Sequence, residues 1–161
     1  MKKEFHISAF VAAVFAALVL SGCHKLEYKV YDNPYVYIVY SGDGAMSEMS
    51  TIISMAITSR NYDVCISSKT QEKPIVVKYQ VIVGDGLAEG VDYELPVRSD
   101  TLTFNPGVFK RSITIDFKRH KVDKTKDNTI TLKIVGSDPE MQIGLPGEKP
   151  SNTFHTIKKI N

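Results

Sequence analysis

The sequence predicts an all-β domain, an antiparallel β-sandwich of about seven or eight strands. Three observations carry that expectation. Segments rich in Val, Ile, Tyr, Thr and Phe recur between clusters of Gly, Pro, Asn and Asp, the pattern of short strands joined by turns. Ser112-Ile113-Thr114-Ile115-Asp116-Phe117-Lys118 alternates cleanly, so that Ile113, Ile115 and Phe117 face a core while Thr114 and Asp116 face water. Finally, the 139 residues from Cys23 onward suit one domain with its own hydrophobic core.

Residues 24–34 are polar and aromatic without a period and end in the turn signature Asp32-Asn33-Pro34, which makes them a tether. Residues 35–40, 74–83, 101–104, 112–118, 129–135 and 153–160 are the clearest strands. Residues 46–60 are ambiguous, because Met46, Met49, Ile53 and Ala56 fit a helical stripe while Ile53, Met55 and Ile57 fit alternation. The β-branched crowding at Thr51, Ile52 and Ile53, with Thr58, favours a strand ending near Ser59-Arg60-Asn61, and another is expected over 62–68. Ile113, Ile115, Phe117, Ile130, Leu132 and Ile134 are expected in one core.

The N-terminal segment speaks of location. Lys2 and Lys3 form a basic start, residues 9–20 an apolar core, and Leu20-Ser21-Gly22-Cys23 closes it. This resembles a bacterial lipoprotein signal peptide, and twelve apolar residues fall short of the roughly 20 that span a bilayer. The resemblance implies cleavage after residue 22, acylation of Cys23 and a mature chain held at the membrane by its acyl chains. Residues 1–22 are thus a signal peptide, 23–34 an anchor and tether, and 35–161 the domain. The mature chain keeps 18 basic and 17 acidic residues, a formal charge of +1, so no nucleic-acid partner is expected. Cys65 is the one other cysteine. It is expected to act as a small buried hydrophobe.

Two groups of segments carry a further resemblance. The first is Ala88-Glu89-Gly90-Val91-Asp92-Tyr93-Glu94-Leu95-Pro96, then Leu102-Thr103-Phe104-Asn105-Pro106-Gly107, then the strand at 112–117. The second is Ile130-Thr131-Leu132-Lys133-Ile134, Ile143-Gly144 and the closing Thr156-Ile157-Lys158-Lys159-Ile160-Asn161. In order and spacing they resemble the Calx-beta domain, and more closely the single-domain lipoproteins of Bacteroidota that carry a related domain of unknown function. The resemblance covers about residues 35–161 and implies an immunoglobulin-like, Calx-beta-like sandwich. The same residues have a structural reading: Gly90 for a positive φ, Asp92 for a turn, Tyr93 for a buried ring, and Asn105-Pro106-Gly107 for a turn with φ preset by proline.

Calcium is the one ligand the resemblance could import, through acidic clusters at one end of the sandwich, and such an ion takes six to eight oxygens. Here the corresponding loop, residues 118–127, sets two aspartates among five Lys or Arg and one His. It is a poor cation cage, and Asp85, Asp92 and Glu94 read as acids of solvated loops. Gly84-x-Gly86-x-x-x-Gly90 has its third glycine one place late for a dinucleotide fingerprint and no helix pattern after it, so it is a turn. His24, His120 and His155 share no ligand spacing, and there is no Gly-x-Ser-x-Gly elbow. No catalytic residue, metal or cofactor is expected.

Two features suggest binding. The basic run 118–126, with Lys118, Arg119 and Lys121, can attract anionic lipopolysaccharide or an acidic partner at long range, although charge runs of this kind ordinarily keep a loop solvated. Tyr28, Tyr31, Tyr35, Tyr37 and Tyr40 supply rings suited to sugar stacking or a protein interface; at period two, Tyr35 and Tyr37 share a face and Tyr40 takes the other. The candidate binding residues are Tyr28, Tyr31, Lys118, Arg119 and Lys121. The expected function is a lipid-anchored, non-enzymatic accessory binding or interaction module of the bacterial envelope, at the outer membrane on either its periplasmic or its outer face. Because the resembling lipoproteins accompany nutrient-uptake systems, the implied partner is a polysaccharide or another lipoprotein. The alternatives are a structural envelope protein docking a partner protein, and a minor hydrolase.

Overall fold

Alternation in the sequence becomes two five-stranded sheets closed over one core. The computed structural model describes residues 32–42 and 46–161. Among the described residues there are ten strands: β1 (Tyr35–Tyr40), β2 (Met49–Ile53), β3 (Thr58–Ser67), β4 (Ile75–Val83), β5 (Tyr93–Glu94), β6 (Thr101–Phe104), β7 (Lys110–Phe117), β8 (Thr129–Asp138), β9 (Gln142–Ile143) and β10 (Phe154–Ile160). One sheet has the order β5-β7-β3-β1-β9 and the other β2-β10-β8-β4-β6. No helix is present among the described residues. The all-β sandwich stands as expected.

The strand count exceeds the expected seven or eight chiefly because of the two-residue strands β5 and β9, which are too short to show a period in sequence. The expected division at 46–60 and 62–68 is also corrected. The chain leaves the second sheet after Ile53, turns with Ala56 N–H donating to Ile53 O (3.0 Å), and enters the first sheet at Thr58, which pairs with Phe117. A change of sheet is a long-range event. It leaves no local mark beyond Ser54, whose N–H donates to Ile160 O (2.6 Å). Of the pairings between these strands, two, β1 with β9 and β10 with β2, are parallel and the others antiparallel.

The core takes one residue in two from each long strand. Val36 and Ile38 of β1, Tyr62, Val64 and Ile66 of β3, and Val77 and Tyr79 of β4 meet Ile113, Ile115 and Phe117 of β7 and Ile130, Leu132 and Ile134 of β8 in a single cluster. The six core positions expected from alternation are all there. Cys65 is only half-buried, because it alternates out of phase with Val64 and Ile66 on β3.

The strand directions gather the loops at two ends. Residues 54–57, 84–92 and 118–128, with the last residues of β10, lie at one end, since Thr58 pairs with Phe117, Val83 with Ile130 and Lys158 with Thr129. Residues 32–34 enter β1 at the other, where Tyr35 pairs with Ser67. The Asn105-Pro106-Gly107 turn also lies at that second end, with Val108 N–H donating to Asn105 O (2.9 Å) and Gly107 at φ +82°, the conformation that favours glycine after proline.

Ile115 has no exposed surface, so Ile115→Ala should destabilise the domain by about 2–5 kcal/mol in chemical denaturation; a neutral effect would contradict the facing assigned to β7.

Candidate functional site at the loop end

Gly90 starts the site. Its φ of +85° lets the chain reverse so that Asp92 N–H donates to Ala88 O (2.8 Å) while Asp92 Oδ2 accepts from Ala88 N–H (3.0 Å). Asp92 is thereby turned inward, and only 2 % of it is exposed. The solvated-loop expectation for this residue is wrong. The physical reason lies on β10, whose alternation puts Lys159 in phase with buried Ile157 and buries it to the same degree.

The Lys159 ammonium donates to Asp92 Oδ1 (2.9 Å), Asp92 O (3.2 Å) and Lys118 O (2.9 Å). Three donors meet three acceptors, the condition under which a buried ammonium is tolerated. Asp92 Oδ1 also lies 2.9 Å from His120 Nδ1 at the surface. Burial pushes the Asp92 carboxyl up, but the Ala88 N–H, Lys159 and His120 outweigh it and hold the group below the ordinary carboxylate range. Asp92, Lys159 and Lys118 together pin the β4–β5 loop, the start of the β7–β8 loop and the last strand to one another.

Asparagines extend this bracing. Asn128 Nδ2 donates to Asp123 O (2.6 Å) and Lys126 O (3.1 Å), closing the basic loop on itself. Asn161 accepts from Ser54 Oγ (2.9 Å) and Val122 N–H (3.0 Å) and donates to Val122 O (2.8 Å). Gly86 N–H donates to Asp127 O (2.9 Å), and a β-carbon there would fall 2.2 Å from Asn128 Oδ1. The glycine pattern 84-x-86 therefore serves close approach of two loops.

The expected binding residues divide. Lys118 Nζ pairs with Glu94 Oε2 (2.8 Å) and donates to Gly90 O (3.2 Å), while Arg119 Nε donates to Met55 O (3.1 Å), so both brace loops. Lys121 is exposed. Cys23, Tyr28 and Tyr31 lie outside the described residues. Sequence reasoning missed Lys158 and Lys159. The signal for Lys159 was present, because a lysine in phase with Ile157 and His155 on a strand points inward.

Two other polar groups are internal. His155, fully buried, sets Nε2 2.9 Å from Ser50 Oγ and packs its ring 5.2 Å from that of Tyr62, whose hydroxyl burial pushes up to about 12. Tyr40 packs 5.4 Å from Tyr62 with the Arg60 guanidinium 5.1 Å above its ring, whereas Tyr35 and Tyr37 stack 5.9 Å apart on the outward face of β1. On β3, Asp63 accepts from Ser112 Oγ (2.6 Å) and pairs with Lys110 (3.2 Å).

The loop end does not fit a calcium ion. Asp92, the buried acid, is already neutralised by an ammonium, and among the described residues no three His, Cys, Asp or Glu side chains gather. No family model matches the chain, and no curated protein does. Among solved structures, the chain is similar to CBD12 from CALX1.2 at 13% identity and a TM-score of 0.48, over 76% of this chain. It spans 44% of that chain's length.

Because the folded-state pKa of Asp92 is depressed, its stabilisation is complete above the ordinary aspartate value of about 3.9 and is lost as pH falls through and below it. Denaturation across pH 2–7 should show stability dropping from about pH 4 downward. Asp92→Asn, which strands Lys159 at a cost of about 3–5 kcal/mol, should flatten that slope. Wild-type stability and slope in the variant would contradict the assignment.

Proposed function

We propose that this chain is a lipid-anchored, non-enzymatic binding module of the bacterial envelope, held at the outer membrane through Cys23 and offering its loop end to a polysaccharide or a partner lipoprotein. One observation carries the reading. At the loop end the buried groups that could do chemistry, Asp92 and Lys159, are spent on each other and on loop carbonyls, so the end is a braced display surface. Loops on a rigid β scaffold are where binding residues commonly lie.

A second reading, a structural protein that docks a partner protein, has support in the exposed apolar side chains Ile53, Met55 and Ile57, which are 61%, 47% and 73% exposed on and after edge strand β2. Exposed apolar groups side by side favour a protein contact. A glycan array and a pull-down with the same protein separate the two readings.

Cys23→Ala should leave the precursor uncut or release the protein from the membrane fraction, and protease applied to intact cells should then report which face carries the wild-type domain. A Cys23→Ala protein that is processed at the same place and stays membrane-bound would overturn the anchor.

A further inference from the structure

Beside the braced network lies a cleft of about 320 Å³ between the end of β10 and the β7–β8 loop, within the roughly 300–1,000 Å³ of small-ligand sites. Lys124, Lys126 and Lys158 line it, with no carboxylate side chain among the lining residues. All three lysines are exposed, and among the described residues none forms an ion pair. The nearby acids are otherwise engaged: Asp123 accepts from Thr125 N–H (2.9 Å) and Oγ1 (2.7 Å), with Lys126 near enough to favour its charged form, and Asp127 accepts from Thr129 Oγ1 (2.8 Å). Val122 and Ile160 add an apolar wall.

We propose that this cleft binds an acidic glycan, with Lys124, Lys126 and Lys158 holding its carboxylate or phosphate groups and a sugar ring resting on Ile160. The proposal rests on the binding-module reading and gives it a ligand class. The cleft is preformed: Asn128 closes the loop that carries Lys124 and Lys126, and Lys159, the neighbour of Lys158, is fixed to Asp92. Preorganised cations lose less freedom on binding than lysines on a mobile loop. Like charges held together also attract an anion from a distance. A glycan is favoured over an anionic membrane because the lysines line a concave cleft of about 320 Å³, which the flat surface of a bilayer does not enter.

The test uses the full chain in a neutral detergent and follows binding of labelled oligogalacturonate and of a phosphomannan, which separate the two anions. Neutral dextran and anionic phospholipid vesicles serve as comparisons. At least one acidic glycan should bind, dextran should not, and added salt should weaken the complex. The triple variant Lys124→Gln, Lys126→Gln, Lys158→Gln should melt as the wild type does yet bind roughly tenfold or more weakly, while Lys73→Gln and Lys149→Gln should bind as before. Glycan binding that survives the triple substitution overturns the cleft and leaves the binding module standing. Capture of a partner protein with no acidic-glycan binding does the same, as does binding confined to the vesicles.

Discussion

The buried contact between Asp92 and Lys159 is the interaction on which the functional end of this sandwich depends. Taking an ammonium and a carboxylate out of water is unfavourable by several kcal/mol each, and the pair persists only where every proton and lone pair is answered. Here the answer comes from three separate elements: the β4–β5 loop gives the carboxylate and one carbonyl, β7's exit gives the other carbonyl, and β10 gives the ammonium. Satisfying one residue therefore fixes the positions of two loops and a strand. Apolar packing alone would hold the strands without setting where the loops lie.

That constraint links the fold to what the end can do. The basic loop 118–128 carries Lys118, Arg119, Lys121, Lys124 and Lys126, and a free loop of such charge would repel itself and extend. Instead Asn128 and Asn161 bind its carbonyls, Val122 is buried beneath it, and Lys118 and Arg119 are drawn to Glu94 and Met55 O. What remains outward is a smaller set of cations in a fixed arrangement. Lys118 and Arg119, next to the end of β7, find acceptors on neighbouring loops, whereas Lys121, Lys124 and Lys126 are exposed and form no ion pair among the described residues.

Much of the fold was legible because alternation is local. The runs ending at Phe117 and Ile134 declared their inward faces, Gly90 declared its positive φ, and Asn105-Pro106-Gly107 declared a turn. What was not legible depended on distant partners. β2 and β3 belong to different sheets, yet nothing between Ile53 and Thr58 distinguishes a turn between sheets from an irregular strand. Asp92 looked like any loop acid until Lys159, 67 residues away, was placed against it. Lys158 joined the cleft only through the register of β10 on β8. The inward phase of Lys159 was the single local clue. A charged residue on the core face of a strand demands a buried counter-charge.

A double-mutant cycle on Asp92→Asn and Lys159→Met, followed by chemical denaturation at neutral pH, tests the central claim most directly, because it isolates the pair from the loops that carry it. Each single change strands a partner, whereas the double change removes both charges. The account predicts a coupling energy of about 2–3 kcal/mol, with the double variant far less destabilised than the sum of the singles. Strict additivity would contradict it.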